Sequence, residues 1–170
     1  MSFTDLAKKR CSIRAYDPDP VEPDKIAAIV EAAHVAPSAA NRQPVRLIQV
    51  ESAEGLANLG RYANLYGAPL AFIVCADAER AWKRPVDGMV STVIDASITC
   101  DHMMIAATDL GLGSGWICAF DPAGVREAFN LPASLVPVNI LAVGHAADEW
   151  KSPERHAVER IPVQELVTKA

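Results

Sequence analysis

The chain has 170 residues, 51% of them hydrophobic and 22% charged, with a formal net charge of −5. That length and apolar content suit one domain with its own core; such a domain buries roughly 70% of the surface its unfolded chain exposes and needs no staple. The acidic balance excludes non-specific nucleic-acid binding, which needs clustered Lys and Arg against phosphate, but it leaves room for a local basic pocket.

Residues 1–10 hold no apolar run ahead of a small-residue cleavage site, so a secretory leader is not expected. The longest strongly apolar stretch, around residues 68–76, falls far short of the roughly 18 residues a membrane span requires. Cys11, Cys75, Cys100 and Cys118 form no C-x-x-C pair and share no zinc-site spacing with His34, His102, His145 or His156. Reduced thiols, a cytoplasmic location and no bound metal are the resulting expectations.

Ser2 or Thr4 can cap a short first helix that runs to about Lys9. Residues 16–22 (YDPDPVE) are a loop, and Pro23 then opens a helix whose Ile26, Ile29, Val30 and Ala33 keep helical spacing until about Val35. Residues 45–50 (VRLIQV) read as a strand, and Ser52 caps a helix to about Asn64. The continuous apolar run 70–76 (LAFIVCA) suits a strand buried on both faces. Residues 89–110 form a long helix, apolar nearly all round and closed by Gly111; it needs cover on every side, which a second subunit can supply. A strand at 114–119 (SGWICA), a helix from Asp121 and Pro122 to about Phe129, and a strand at 136–143 (VPVNILAV) follow, with Pro137 at an edge or a strand end. After Gly144 the composition turns polar, and 145–170 reads as an arm around a partner whose one apolar patch is 161–167. The sum is α+β: a short sheet with helices around a long central one.

Three stretches could carry chemistry. Residues 8–14 (KKRCSIR) gather four cations and a hydroxyl; in an extended chain Arg10, Ser12 and Arg14 point to one side. That face can bind an anion through arginine forks, or it is a solvated basic patch at a helix C-terminus. Residues 36–44 (APSAANRQP) offer small side chains for close approach of a planar ligand, with Ser38, Asn41 and Gln43 as donors and acceptors; the alternative is an ordinary helix-to-strand loop. Residues 111–116 (GLGSGW) follow a helix and precede a strand, the reverse of a dinucleotide loop, and read as a C-cap and tight turn. No G-x-S-x-G elbow is present and Ser38 has no evident His partner, which excludes a serine hydrolase.

Taken in order, KRCSIRAY, APSAANRQP, DASITCDHMMIAATDLGLGSGWI, REAFNLP, VNILAVGH and ERIPVQELV resemble the nitroreductase family over nearly the whole chain. The resemblance implies a mixed, mainly antiparallel sheet and a homodimer with FMN at the subunit interface, the arm 145–170 lying on the partner. It implies that Arg10 and Ser12 hold the phosphate and ribityl end, that Cys11 between them belongs to the cofactor-binding segment without a charge role, and that Arg14 lies near the pyrimidine side of the flavin. Pro37, Ser38, Ala39, Asn41 and Gln43 would come from the other subunit. Trp116, Ile117 and Cys118 would flank the ring, and Arg160 would reach the phosphate from the arm. Cys11, Val45 and Val158 depart from the family pattern, which there favours a basic or larger polar residue, an aromatic and a second basic residue respectively. The implied activity passes electrons from NADH or NADPH through flavin N5 to nitroaromatics, quinones or similar flat acceptors by a ping-pong route, with no protein acid or base. An O₂-using or dehalogenating flavin enzyme, or a flavin sensor without turnover, is the alternative.

Overall fold

A computed structural model describes residues 2–169. Strands β1 (Val45–Val50), β2 (Leu70–Asp77), β3 (Gly113–Ile117) and β4 (Leu135–Gly144) form one sheet in the order β1-β2-β4-β3, every neighbouring pair antiparallel. The parallel contribution is the isolated bridge between Ser12 and Ser114.

The run 70–76 explains the layering. All of it is buried, because its two faces enter two different cores. Leu70, Phe72, Val74 and Ala76 meet helices α2 (Pro23–His34) and α4 (Thr92–Asp109) through Ile29, Ala96, Cys100 and Met103. Ala71, Ile73 and Cys75 face the opposite core with Leu59 of α3 (Ala53–Leu59) and Val125 of α5 (Pro122–Ala128). Each large side chain so buried contributes roughly 1.5–3 kcal/mol.

Local signals set most boundaries. Ser2 and Asp5 form a reciprocal capping box on α1 (Phe3–Lys9), Pro23 is the first residue of α2, and Asp121 accepts the Ala123 N–H ahead of α5. Pro137 sits beyond the end of β3 and opposite a bulge in β2–β4 pairing, so its missing N–H breaks no regular ladder.

Three boundaries differ from expectation, and tertiary contacts account for each. The third helix stops at Leu59 rather than Asn64, because Ala63 bridges to Phe120 and the Tyr62 carbonyl accepts from Asp121. The long helix begins at Thr92 rather than Met89, because Lys83 bridges to Val90 and Arg84 N–H donates to the Met89 carbonyl. The third strand ends at Ile117, leaving Cys118 exposed beyond it rather than buried within it. The long helix is also not enclosed within one chain: Val93 and Ile94 remain 61% and 47% exposed. Among the described residues, no helix is long and apolar enough to cross a membrane.

The tail divides at Arg160. Its first part folds back on its own chain: Tyr16 bridges to Ala146, Arg14 N–H donates to Asp148 Oδ2 at 2.8 Å, and Lys9 lies 5.6 Å from the Trp150 ring. The root of the expected arm 145–170 is thus fastened to its own chain by these contacts. Residues 157–169, including α7 (Val163–Leu166), are exposed throughout.

Candidate functional site

The segment after α1 has the expected period of two. Ser12 and Arg14 are exposed and Arg10 is half-buried, while Cys11 and Ile13 are buried in the core. Cys11 is 3% exposed, so its thiol packs in the core. The segment lies along β3, with Ile13 N–H donating to the Ser114 carbonyl at 2.9 Å. Gly113 and Gly115 make this approach possible. A Cβ on Gly113 would stand 2.8 Å from Ile13 Cγ1, and one on Gly115 3.0 Å from the Ile13 carbonyl. Gly111, at φ +77°, follows the Leu110 C-cap and ends the helix where the sequence placed its stop, but Gly113 and Gly115 clear space rather than make a turn.

Ser12, Arg14, Tyr66 and residues 115–119, including Trp116, Ile117 and Cys118, line one cavity of about 110 Å³. Tyr66 enters it from a turn in which it has φ +58° and its N–H donates to Asn64 Oδ1 at 2.9 Å. Among the described residues, three buried side-chain polar atoms lack protein partners, two of them on β3: Ser114 Oγ and Trp116 Nε1.

The loop from Pro37 to Gln43 is strained. Ala40, Asn41 and Gln43 all have φ near +50°, a conformation that disfavours non-glycine residues by roughly 1–2 kcal/mol each, least for Asn. Two side chains hold it. Ser38 Oγ accepts the Gln43 N–H at 2.9 Å, and the fully buried Asp95 accepts the Ala39 N–H at 2.8 Å and the Ser91 hydroxyl at 2.7 Å. Strain that the surroundings enforce tends to cluster at functional positions. Asp95 was invisible from sequence, where it is one acid in an apolar helix.

The structure gathers these residues into two groups that do not meet. Ser12, Arg14, Trp116, Ile117 and Cys118 lie at the β3 edge, and the Pro37–Gln43 loop leads into β1 at the other edge. Two strands intervene, about 14 Å at 4.7–4.9 Å per strand. Ser38 and Gln43 border a separate cavity of about 140 Å³, and Asn41 a third beside Trp82.

A third feature is cationic. Arg155 donates to the carbonyls of Arg10 (2.5 Å), Lys8 (3.2 Å), Lys151 and Ser152, clamping the tail to the C-terminal end of α1. His156 lies 3.2 Å from the Lys8 carbonyl, and Arg160 Nε donates to His156 Nδ1 at 3.3 Å. Burial, with Arg155 and then Arg160 nearby, pushes the Arg10 guanidinium below its ordinary value. Three arginines thus converge where the sequence suggested two. Arg155 was missed because it precedes the E-R-I-P motif.

A four-stranded antiparallel sheet with a long buried helix on one face and an N-terminal basic segment along its edge strand defines a distinct α+β class. Residues 7–64 and 56–145 match the sequence model of the Nitroreductase family, and the chain belongs to that family. It is 48% identical to a nitroreductase family protein from Clostridium difficile 630, with a TM-score of 0.96 over 99% of this chain and 98% of that one. An FMN-dependent nitroreductase from Clostridium difficile R20291 is 28% identical, TM-score 0.78, covering 92% and 96%. Over 173 residues the chain is 31% identical to an FMN reductase (NAD(P)H) of Bacillus subtilis strain 168, covering 91% of this chain and 70% of that protein.

Proposed function

We propose that the protein is an FMN-dependent NAD(P)H oxidoreductase that works as a homodimer, with each flavin held between the β3 edge of one subunit and the Pro37–Gln43 loop of the other. One observation carries this reading: the two residue groups that suit a planar ligand stand on opposite edges of one sheet. The cavities beside Arg14 and beside Ser38, about 110 and about 140 Å³, fall short of the 300–1,000 Å³ of a typical cofactor site, and the larger cavity at Asn41 is bordered by no residue of the β3 edge. Two half-sites are completed only when a second copy is present.

The residues fit the cofactor. Arg10 and Arg160 suit the phosphate, and Arg155 fixes the backbone that carries Arg10. A dianion there would relieve the mutual repulsion of three guanidinium groups. Ser12 adds a hydroxyl, and Arg14 adds positive charge at the cavity rim, the sign that stabilises an electron-rich ring. FMN, when bound, supplies the redox chemistry at N5. The chain's part is to orient a flat ring by backbone groups of residues 115–119 and to leave one face open for donor and acceptor in turn. Nitroaromatics and quinones are the acceptors that such stacking favours. The exposed apolar stretch after Arg160 is the arm that embraces the partner, beside the bare Val93 and Ile94 of α4. The free thiols suit a reducing cytoplasm.

An absorbance spectrum of purified protein, before and after anaerobic NADPH or NADH, tests this. Flavin bands that bleach support the enzyme. Bound flavin that stays oxidised indicates a sensor, and failure to take up added FMN overturns the reading.

A further inference from the structure

Of the cavities outside the flavin reading, one is unlike the others. It is about 780 Å³, bordered by Asn41, Arg42, Glu79, Arg80, Trp82 and Lys83. In a chain of net charge −5 this pocket carries three cations and one acid. Among the described residues Arg42, Arg80 and Lys83 form no ion pair, whereas Arg84, next along the chain, is closed off by Asp87 at 2.5 Å. By contrast, the groove beside α1 is bordered by Asp101 and Asp109, and the groove beside β1 by Glu22 and Glu51. The pocket is of nucleotide size. It combines a half-buried indole, on which a purine can stack, with unneutralised donors that suit phosphate. Glu79 can accept from a ribose hydroxyl or an exocyclic amine. The pocket also adjoins Asn41, so a ligand lying in it reaches the strained loop assigned to the flavin site.

We propose that the pocket lined by Arg42, Glu79, Arg80, Trp82 and Lys83 takes the phosphorylated adenosine end of the electron donor, and that its cations select NADPH over NADH by the 2′-phosphate. This rests on the oxidoreductase reading above. An inorganic or FMN phosphate is the other source of the same anion. The size of the pocket and the indole favour an adenosine phosphate, and no residue of the Arg10 group borders the pocket.

The test is calorimetric titration of the flavin-loaded protein with 2′,5′-ADP and with 5′-AMP, repeated on an R80Q/K83Q variant. Both positions are on the surface, so the variant keeps the core intact. The expected result is that 2′,5′-ADP binds about tenfold more tightly, the scale of one charge-assisted contact, and that the variant loses this preference. In turnover, the ratio of kcat/KM for NADPH to that for NADH falls by a similar factor in the variant. Equal affinity for the two nucleotides in the unmodified protein overturns the proposal, as does a preference that survives in R80Q/K83Q. Release of flavin by 2′,5′-ADP also overturns it, by showing that these cations hold the FMN phosphate. Failure of the oxidoreductase reading shows separately, as protein that takes up no FMN, and the nucleotide titration can still be read on that protein.

Discussion

The carboxylate of Asp95 in α4 accepts the main-chain N–H of Ala39 at 2.8 Å, 56 residues away in sequence. With Ser91 on its other oxygen, it braces a loop in which Ala40, Asn41 and Gln43 are left-handed. Removing it leaves the Ala39 N–H and the Ser91 hydroxyl without their partner, and the strained loop can then relax. Asp95→Ala should lower stability by about 1–3 kcal/mol in urea unfolding and weaken FMN binding. Asp95→Asn keeps an acceptor for Ala39 and should restore most of the flavin affinity. Equal loss in both variants would assign the effect to the charge rather than to the loop.

Gly113 and Gly115 let the basic segment lie on β3. Gly113→Ala puts a methyl 2.8 Å from Ile13, a buried side chain in the core. The expected outcome is a loss of about 1–3 kcal/mol, the usual scale of overpacking. Ser12 and Arg14 should shift with Ile13, raising the FMN dissociation constant. Ile13→Ala on this background removes Cγ1, the nearest obstructing atom, and should recover the FMN affinity. No recovery would mean that Ile13 is not the obstructing group.

Which features were legible in the sequence follows from the range of the interactions that set them. The β1 limits, the Ser2 and Asp121 caps, and the in–out alternation of residues 10–14 depend on neighbours within a few positions. Asp95 with Ala39 and Arg155 with the α1 carbonyls are pairings at separations of 56 and about 145 residues, and nothing local marks them. The φ values of Ala40 and Gln43 are likewise imposed: alone, neither residue favours the left-handed region. Gly113 and Gly115 looked like turn residues because a tight turn and a close approach call for the same amino acid.

Arg155→Ala should free residues 150–160 from α1, since the guanidinium satisfies four carbonyls at once. FMN affinity should fall about tenfold, or ~1.4 kcal/mol, with faster proteolysis of the tail. Arg155→Lys should rescue little, because an ammonium lacks the planar fork. Rescue by Lys would show that charge alone is required.

Alkaline pH should destabilise the fold. Burial pushes the Cys75 thiol up to about 12 and also raises Cys100, with Cys118 and Asp101 adding to it, and Tyr16, with Asp148 adding. These acids stay neutral in the native state, while the unfolded chain can ionise them near their ordinary values of 9.0 and 10.0. Stability from these groups is therefore complete below pH 9 and is lost as the pH rises from 9 towards 12. The urea midpoint should drop between about pH 8 and about pH 10.5, and Cys75→Val should shrink the drop. In the native protein only the exposed Cys118 should react promptly with a thiol reagent, the other three being buried.

Truncation after Arg160 tests the arm. Ile161, Val163, Leu166 and Val167 are 58–71% exposed on their own chain, and burying each against a partner is worth roughly 1.5–3 kcal/mol at full coverage. Residues up to Arg160 keep their own-chain contacts, so the truncated protein should fold. Light scattering should then show a shift from dimer towards monomer. Flavin should be lost with the partner, because the Pro37–Gln43 loop is separated from Ser12 and Arg14 by the width of the sheet. A truncated chain that stays dimeric and yellow would move the interface to Val93 and Ile94 of α4 and leave residues 161–169 with no part in assembly.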